Sequence, residues 1–323
     1  MKKVRAAVVG VGYLGKFHAE KYAKMENVDL KGVVDANLDQ AREIARKVGT
    51  APFSDYRELF GRVDAVSIAV PTPLHYEIGK AFLKNGMDVL MEKPITTTVA
   101  EADELIDIAD KNHLVLQVGQ LERFNPAVKA VSHLVDHPIF IESNRLGIYK
   151  ERGTDVSVVL DLMIHDIDLI LNFVQSGVRY CHAMGTPVVS NNIDIAHAHI
   201  EFDNGAVANV TASRISNKNE RKIRLFQKDG YISVDFANRS IIHVRPGTGT
   251  GDNNCPIPGM HLEEKCFMDG DALEDEIRAF VHAVALREPP PVSGRMGRDA
   301  LKIALSITQQ IRESTRIYSG LNP

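Results

Sequence analysis

Short, almost continuously apolar runs alternate with amphipathic stretches over roughly the first 120 residues of this chain. Such runs are typical of strands that are buried on both faces of a parallel sheet, and the stretches between them carry the 3.6-residue repeat of surface helices. The alternation predicts an α/β domain built on a doubly wound parallel sheet. The predicted strands are 4–9, 28–34, 63–70, 88–91 and 114–118, and the predicted helices are 37–48, 54–60, 75–85 and 98–112.

A different pattern begins after residue 120. Helix signals at 126–135 and 157–174 precede a series of strand-like segments, at 178–187, 194–202, 206–213, 222–227, 230–236 and 240–245. Several strands in succession predict an α+β domain with a large, mostly antiparallel open sheet. Asp203-Asn204-Gly205 and Asp229-Gly230 are hairpin-turn sequences between these strands.

The last part of the chain completes this division. Residues 246–270 are rich in Gly, Pro and Asn without periodicity, which predicts a mobile loop, and helix signals follow at 271–287 and 298–313. We therefore predict two domains, residues 1–120 and 121–323, with the C-terminal helix packing back on the first domain.

Composition restricts the class of partner. The 38 Lys and Arg residues against 42 Asp and Glu residues give a net charge of −4, which argues against a protein that coats nucleic acid or an anionic membrane. Three cysteines are too few for a disulfide framework, which fits a reducing cytoplasm. The basic start is followed by only a few apolar residues, so it predicts neither a signal peptide nor a membrane span. We expect a small, discrete ligand.

A glycine motif defines the first candidate site. Gly10, Gly12 and Gly15, with Tyr13 and Leu14 between them, follow the first strand and open a helix. In a dinucleotide site the first glycine allows the tight turn, the second lets the backbone approach the pyrophosphate, and the third lets helix and strand pack closely. The alternative is a turn-and-packing motif without a ligand.

The residue at the end of the second predicted strand bears on the choice of cofactor. Asp35 follows Gly15 by 20 residues, the position from which an acidic side chain bonds the adenosine ribose in a dinucleotide site. A carboxylate there repels a 2′-phosphate, and the next residues, Ala36 and Asn37, provide no arginine to hold one. The sequence therefore predicts NAD as the cofactor rather than NADP.

Two further strand ends carry polar residues, and ligands of open parallel sheets bind at the carboxyl ends of the strands. The first is the 70–75 segment, with Pro71, Thr72 and His75, and the second is Met91-Glu92-Lys93-Pro94. A partly desolvated lysine beside a nicotinamide would have a lowered pKa and could accept a substrate hydroxyl proton. The alternative for Glu92-Lys93 is a solvated turn.

The predicted helix at 157–174 is apolar nearly all round, so it should be buried. At 100° per residue its polar side chains Asp161, His165, Asp168 and Asn172 form a stripe roughly 60° wide, whereas Asp166 points elsewhere. Asp161 and His165, four residues apart, can contact one substrate together, and histidine suits proton transfer near neutral pH. The alternatives are an interior polar network and a metal site of Asp161, His165 and Asp168; we expect no resident metal.

Four motifs resemble, in this order along the chain, those of the Gfo/Idh/MocA family of nicotinamide-dependent sugar and polyol oxidoreductases. They are Gly10-x-Gly12-x-x-Gly15-x-x-His18, Pro73-x-His75, Glu92-Lys93-Pro94 and Asp161-x-x-x-His165. The resemblance covers essentially the whole chain. It implies a Rossmann domain that binds NAD, followed by an α+β domain for substrate binding and oligomerisation, with the substrate bound between them at the nicotinamide.

The same resemblance implies roles for individual residues. Lys93, Asp161 and His165 match the family's usual catalytic set, with either Lys93 or His165 as the base. It also implies an unusual peptide geometry before Pro94, such as a cis bond, and homodimers or homotetramers formed through the second-domain sheet. The predicted cofactor-binding residues are Gly10, Gly12, Tyr13, Leu14, Gly15, Asp35, Pro71, Thr72, His75, Glu92, Lys93 and Gln120, and the predicted substrate-binding residues are Lys93, Arg123, Asn125, Asp161 and His165.

A narrower resemblance concerns the substrate. Residues 119–126 and 221–233 are similar to the branch that oxidises the 3-hydroxyl of nucleotide sugars, notably UDP-N-acetylglucosamine, to supply a 3-amino sugar for lipid A. Residues 214–224 carry five cationic side chains and only one acidic one, as a diphosphate site would need, although a solvated strand edge explains them equally well. Two other functions stay open: a dehydrogenase of a free sugar or polyol such as inositol, and a non-catalytic regulator that senses NAD or a sugar.

Overall fold

A computed structural model of the protein describes residues 3–150, 156–247 and 255–320, with side chains up to residue 315. The chain forms two compact units. The first unit contains Met1–Leu121 and Asp271–Leu301, and the second contains Glu122–Gly270 and Lys302–Pro323. The first unit thus includes a late segment, Asp271–Leu301, that the sequence pattern placed with the second domain.

The first unit is built on a six-stranded sheet in which every pair of neighbours is parallel, with the strand order β3-β2-β1-β4-β5-β6. This order reverses direction between β1 and β4, so the predicted doubly wound fold is confirmed. Its elements are β1 (Val4–Val9), α1 (Gly15–Lys24), β2 (Val28–Val34), α2 (Leu38–Val48), β3 (Pro52–Phe53), β4 (Ala65–Ile68), α3 (His75–Lys84), β5 (Asp88–Glu92), α4 (Val99–Lys111) and β6 (Leu116–Gly119).

The second unit is built on an eight-stranded sheet with the order β14-β13-β12-β11-β7-β10-β9-β8. Only β7 and β10 pair in parallel, so the predicted mostly antiparallel sheet is confirmed. Its elements are α5 (Pro126–Val131), β7 (Phe140–Leu146), a π-helical turn (Val159–Met163), α6 (Ile164–Val174), β8 (Val178–Thr186), β9 (Ile195–Phe202), β10 (Val207–Ser213), β11 (Glu220–Gln227), β12 (Gly230–Asp235), β13 (Ser240–Pro246) and β14 (Met260–Cys266).

Two of these strands were missed by the sequence pattern, each for a physical reason. In β7 the buried positions are Ile141, Ser143 and Arg145, so polar residues occupy the inward face and hide the alternation. The edge strand β14 pairs only with β13 and has no buried residue, so it lacks an apolar face. The prediction of a loop over 246–270 is therefore wrong for Met260–Cys266, and residues 248–254 of that prediction lie outside the described part of the chain.

Two helices complete the fold, α7 (Ala272–Leu286) and α8 (Gly294–Gly320). Within the first unit α7 packs on α1 and β1, where Ile277, Phe280 and Val281 belong to a buried cluster with Tyr22 and Val8. None of the helices in the described part of the chain combines the length and the apolar composition that a membrane span requires.

Candidate active site

The glycine loop after β1 leaves space at one position and none at two others. Gly10 has a positive φ of 84°, and a Cβ on Gly15 would lie 1.7 Å from the carbonyl oxygen of Gly10. A Cβ on Gly12 would meet no atom within 4 Å. Gly10 and Gly15 are therefore required by the turn and by helix packing. Gly12 is exposed, and its contact with a pyrophosphate stays a prediction.

The carboxylate of Asp35 is held at the end of β2 by two main-chain donors. Its Oδ2 accepts from the N–H of Val11 at 3.0 Å, and its Oδ1 accepts from the N–H of Asn37 at 2.9 Å. Asn37 in turn caps α2, because its side chain accepts from Asp39 and Gln40. The side chain of Asp35 is thus oriented beside the glycine loop, where the sequence predicts that it bonds a ribose.

Residues after β4 form a short 3-10 turn over Thr72–Leu74, with Pro71 exposed before it and Thr72 half-buried. His75 follows and is buried. Its Nδ1 lies 2.9 Å from the carbonyl oxygen of Pro94, and its Nε2 lies 2.9 Å from that of Val70. Burial lowers the pKa of His75. The imidazole therefore links the loops after β4 and β5, a structural role that the sequence did not reveal.

The segment after β5 carries Lys93, which is half-buried. The peptide bond between Lys93 and Pro94 is cis, as the resemblance implied. Glu92 holds this segment, because its Oε2 accepts from the N–H of Lys93 at 3.2 Å and its Oε1 lies 3.1 Å from Nε2 of His18. These bonds and the neighbouring positive charge of Lys93 lower the pKa of Glu92, although its burial acts in the opposite direction.

Gln120 lies directly after β6, at the carboxyl end of the sheet where a cofactor is predicted to bind. Its side chain is 1% exposed, and neither its amide nitrogen nor its amide oxygen has a hydrogen-bond partner among the described residues. A buried amide is costly unless a polar group satisfies it, and a ligand at the carboxyl ends of the strands would supply one. Together with the space at Gly12, this fits a bound dinucleotide.

In the second unit, the helix predicted at 157–174 is interrupted. Val159–Met163 form a π-helical turn, and α6 begins only at Ile164, so the assumption of 100° per residue over the whole segment is wrong. Asp161 lies in the π-turn and His165 in the first turn of α6, and both are half-buried. Both remain candidates for proton transfer. π-turns are frequent at functional sites because they reorient side chains locally.

Two arginines bind the acidic side chains of α6. Arg145 contacts Asp166 at 2.7 and 3.0 Å and also Glu122 at 2.9 Å, and all three side chains are largely buried. Arg123 bonds both carboxylate oxygens of Asp168, at 2.5 and 3.0 Å. Asp168 thus belongs to an interior network. Among the described residues, Asp161, His165 and Asp168 do not form a cluster of metal-ligating atoms.

Two predicted substrate ligands have structural contacts within the second unit. One is Arg123, whose contacts with Asp168 are described above, and the other is Asn125, which is 8% exposed. Its Oδ1 caps α5 by accepting from the N–H of Ala127 at 3.1 Å, and its Nδ2 donates to Glu122 and to the carbonyl oxygen of Phe236. A direct contact of either residue with substrate stays a prediction.

A cavity of about 130 Å³ within the second unit brings Asp161 together with basic side chains. Arg221, which lies on the same face of β11 as the buried Ile223 and Leu225, is among its lining residues. The other basic residues that line it are Arg145, Lys150 and Arg214. The sequence analysis did not single out Arg145 or Lys150; Arg145 lies on β7, which carries no apolar alternation to mark it as a strand.

Comparison with known proteins decides the family. The profile described as "Oxidoreductase family, NAD-binding Rossmann fold" of the GFO/IDH/MocA type matches residues 4–120, and that of the GFO/IDH/MocA C-terminal domain matches residues 132–233. A UDP-N-acetylglucosamine 3-dehydrogenase from Acidithiobacillus ferrooxidans is 38% identical over 308 residues, which cover 95% of this chain and 97% of that protein. The chain belongs to the Gfo/Idh/MocA family of oxidoreductases.

Other proteins are also similar to this chain. A scyllo-inositol 2-dehydrogenase (NAD(+)) from Bacillus subtilis is 28% identical over 99% of each chain. A solved structure of the Acidithiobacillus ferrooxidans enzyme superposes with a TM-score of 0.91 at 37% identity, covering 96% of this chain and 98% of that one. A levoglucosan dehydrogenase in complex with NADH has a TM-score of 0.86 at 19% identity, covers 97% and 98% of the two chains, and shows the fold alone.

Family membership decides between the classes of function left open by the sequence. The relatives are dehydrogenases, so this Gfo/Idh/MocA protein is an NAD-dependent oxidoreductase and not a non-catalytic regulator. NAD is its cofactor, as the sequence predicted from Asp35. The relatives act on a nucleotide sugar in one case and on inositols in others, which are the two substrate classes that the sequence analysis left open.

Proposed function

We propose that this oxidoreductase converts the 3-hydroxyl of UDP-N-acetylglucosamine to a ketone. The observation that carries the proposal is the position of Arg221, a cation that lines the same cavity as the catalytic candidate Asp161. Arg221 is exposed and forms no ion pair with any described residue. A diphosphate needs such a partner. The Acidithiobacillus ferrooxidans relative supports this substrate.

We propose the following division of roles. The first unit binds NAD through the glycine loop, Asp35 and the residues after β4, β5 and β6, and the second unit binds the sugar. NAD, when bound, supplies the acceptor for the hydride. The substrate hydroxyl loses its proton to Nζ of Lys93 or to the imidazole of His165, and Asp161 orients the group that receives it.

Three other basic side chains of the 214–224 segment have partners among the described residues, unlike that of Arg221. Arg214 donates to the carbonyl oxygen of Val156 at 2.5 Å, and Lys222 and Arg224 lie on the opposite face of β11, beside Asp235 and Glu142. These ion pairs explain the two residues without a ligand, and because β11 lies between β12 and β7, protection of a strand edge plays no part there. We therefore assign the diphosphate to the side of the sheet that carries Arg221.

A free polyol is the second candidate substrate, because inositol dehydrogenases are among the relatives. One assay separates the candidates: NADH absorbance is followed after mixing the enzyme and NAD with UDP-N-acetylglucosamine, N-acetylglucosamine, myo-inositol or scyllo-inositol. We expect turnover with the nucleotide sugar. Turnover with an inositol and none with the nucleotide sugar would replace the proposal by the second candidate.

We also propose a cellular setting and an assembly. NAD and a nucleotide sugar as reactants, and three free cysteines, fit the cytoplasm. The 3-keto product fits the supply of a 3-amino sugar for lipid A. The open face of the second sheet exposes Tyr180 and Met184, 51% and 58% accessible, and a second copy of the chain covering it would give a homodimer or homotetramer.

A further inference from the structure

Three titratable side chains from three separate elements of the first unit meet beside the segment that carries Lys93. They are His18 on α1, Glu92 at the end of β5 and Glu276 on α7, and one ligating atom of each lies within 4.8 Å of the others. His18 and Glu276 are each 1% exposed. Two carboxyl groups and one imidazole therefore share a buried site that the roles proposed above leave partly unexplained.

Glu276 has unusual surroundings for a glutamate. Neither of its carboxyl oxygens has a hydrogen-bond partner among the described residues. Its main-chain oxygen accepts from Nε2 of Gln117 at 3.1 Å, which fixes the backbone but not the side chain. An ionised carboxylate in such a place is costly, whereas a neutral acid is far less so. Burial and the negative charge of Glu92 together raise the pKa of Glu276 well above its ordinary value of 4.5.

The groups around this pair come from several elements. On α1 they are His18 and Tyr22, whose hydroxyl bonds Oγ of Ser67 at 2.7 Å. After β5 comes Lys93, whose charge favours ionised Glu92, and His75 on α3 also interacts with Glu92. His18, Lys93 and His75 interact with Glu92, whereas Tyr22 interacts with Glu276. Burial and the charge of Glu92 govern the ionisation of Glu276.

We propose that Glu276 is a neutral carboxylic acid at pH 7 beside ionised Glu92. In this state Glu276 acts as a positioning residue for Lys93, through Glu92. With Glu276 protonated, Glu92 carries the only negative charge of the two carboxyl groups. The carboxylate of Glu92 accepts a hydrogen bond from the main-chain N–H of Lys93 and lies beside Nε2 of His18. The protonation of Glu276 does not depend on the function proposed above, whereas the positioning of Lys93 for catalysis rests on that function.

A divalent cation is the competing occupant, because one imidazole and two carboxylates can bind zinc. A proton on Glu276 explains the site without a bound metal. His18 and Glu92 already bond each other at 3.1 Å, and a proton on Glu276 removes the repulsion between Glu92 and Glu276. The test below therefore includes the metal content of the purified enzyme.

Infrared difference spectroscopy tests the location of the proton without any substrate. The C=O stretch of a neutral carboxylic acid is separate from the bands of carboxylates. At pH 7 we expect the wild-type enzyme to show this band, Glu276→Gln to lack it and Glu274→Gln to retain it, because Glu274 lies on the same helix and forms ion pairs with Lys21 and Arg278. Absence of the band in the wild type, or a stoichiometric metal that Glu276→Gln loses, overturns the proposal.

Thermal unfolding gives a second readout. Because the pKa of Glu276 is raised in the folded state, the wild type takes up this proton on folding above about pH 4.5, and its stability falls as the pH rises towards the folded pKa. Glu276→Gln has no such proton. The melting temperature of Glu276→Gln relative to wild type should therefore increase from pH 5 to pH 8, and a constant difference contradicts the proposal.

Activity tests the positioning role separately. Glu276→Gln keeps a neutral group of the same shape at this site, so its kcat should stay within about fivefold of wild type. Glu276→Ala should lose about tenfold or more in kcat, with little change in the KM for NAD, because Glu92 loses its neutral partner. Equal loss in both variants, with the infrared band present, rejects the positioning role alone.

Discussion

The Oδ2 atom of Asp35 accepts a hydrogen bond from the main-chain N–H of Val11 at 3.0 Å. This bond joins the end of β2 to the glycine loop that follows β1. It leaves the carboxylate half-buried and fixed in orientation, so the residue predicted to select the cofactor is bonded directly to the loop predicted to approach the phosphates.

Replacing Asp35 by serine should shift the enzyme from NAD towards NADP. Loss of charge-assisted bonds to a ribose corresponds to an increase of about 10- to 100-fold in the KM for NAD, and loss of repulsion improves use of NADP. Steady-state kinetics with both cofactors measures the change. Asp39→Ser is the control, because the Asp39 side chain is 88% exposed on α2. An unchanged ratio of kcat/KM values would remove Asp35 from cofactor selection.

Two glycine substitutions should separate folding from cofactor binding. Gly15→Ala places a Cβ 1.7 Å from the oxygen of Gly10, so we expect a loss of stability of about 1–3 kcal/mol or more and a loss of NAD binding. Gly12→Ala meets no protein atom within 4 Å and should retain its melting temperature while NAD binds more weakly. Calorimetry of unfolding and NAD titration test the pair; unaltered NAD affinity in Gly12→Ala would contradict the predicted pyrophosphate contact.

Arg221→Ala should distinguish a nucleotide-sugar enzyme from a polyol enzyme. If Arg221 binds a diphosphate, its loss raises the KM for UDP-N-acetylglucosamine about 10- to 100-fold, as expected for a charge-assisted bond. Arg224→Ala is the matched control, because Arg224 lies on the other face of the same strand and pairs with Glu142 at 3.5 Å. Equal KM values for Arg221→Ala and Arg224→Ala would argue against the diphosphate site.

Lys93→Met and His165→Ala should lower turnover while NAD binding survives. General acid-base groups contribute about 100- to 10,000-fold, and the larger loss identifies the residue that takes the hydroxyl proton. Single-turnover formation of NADH, with NAD affinity measured separately, tests both variants. Wild-type turnover in both variants would exclude them from the chemistry.

Asp194 should make the second unit sensitive to acid. Its buried carboxylate accepts from the N–H groups of Val188, Val189 and Ser190 at 2.7–2.8 Å, which holds its pKa well below the ordinary value of 3.8. A depressed folded pKa stabilises the protein above the unfolded pKa, and this stability is lost as the pH falls below about 4.

Asp194→Asn should therefore cost about 2 kcal/mol or more at pH 7 and progressively less below pH 4. Urea unfolding at a series of pH values measures this, with the exposed turn residue Asp229→Asn as control. A destabilisation that is independent of pH would show that the charge of Asp194 is not what matters.

The sequence alone predicted those features that depend only on the conformation or burial of a short segment. The glycine motif, Asp35 after β2 and the apolar strands of the first sheet follow from backbone conformation and burial on both faces, which are properties of short segments. The Asp203-Asn204-Gly205 turn is of the same kind, because Gly205 has a positive φ of 87° between the antiparallel strands β9 and β10.

The tertiary structure alone decided which polar side chains satisfy each other. Nothing local in the sequence pairs Arg145 with Asp166 or Arg123 with Asp168, and nothing local brings Glu276 from α7 to Glu92 and His18. Alternation along β11 separates Arg221 from Lys222 and Arg224, but only the packing of the sheet places the face that carries Arg221 beside the cavity. Such contacts join residues far apart in the chain, so the sequence supplied the chemical groups and the packing of strands and helices determined their partners.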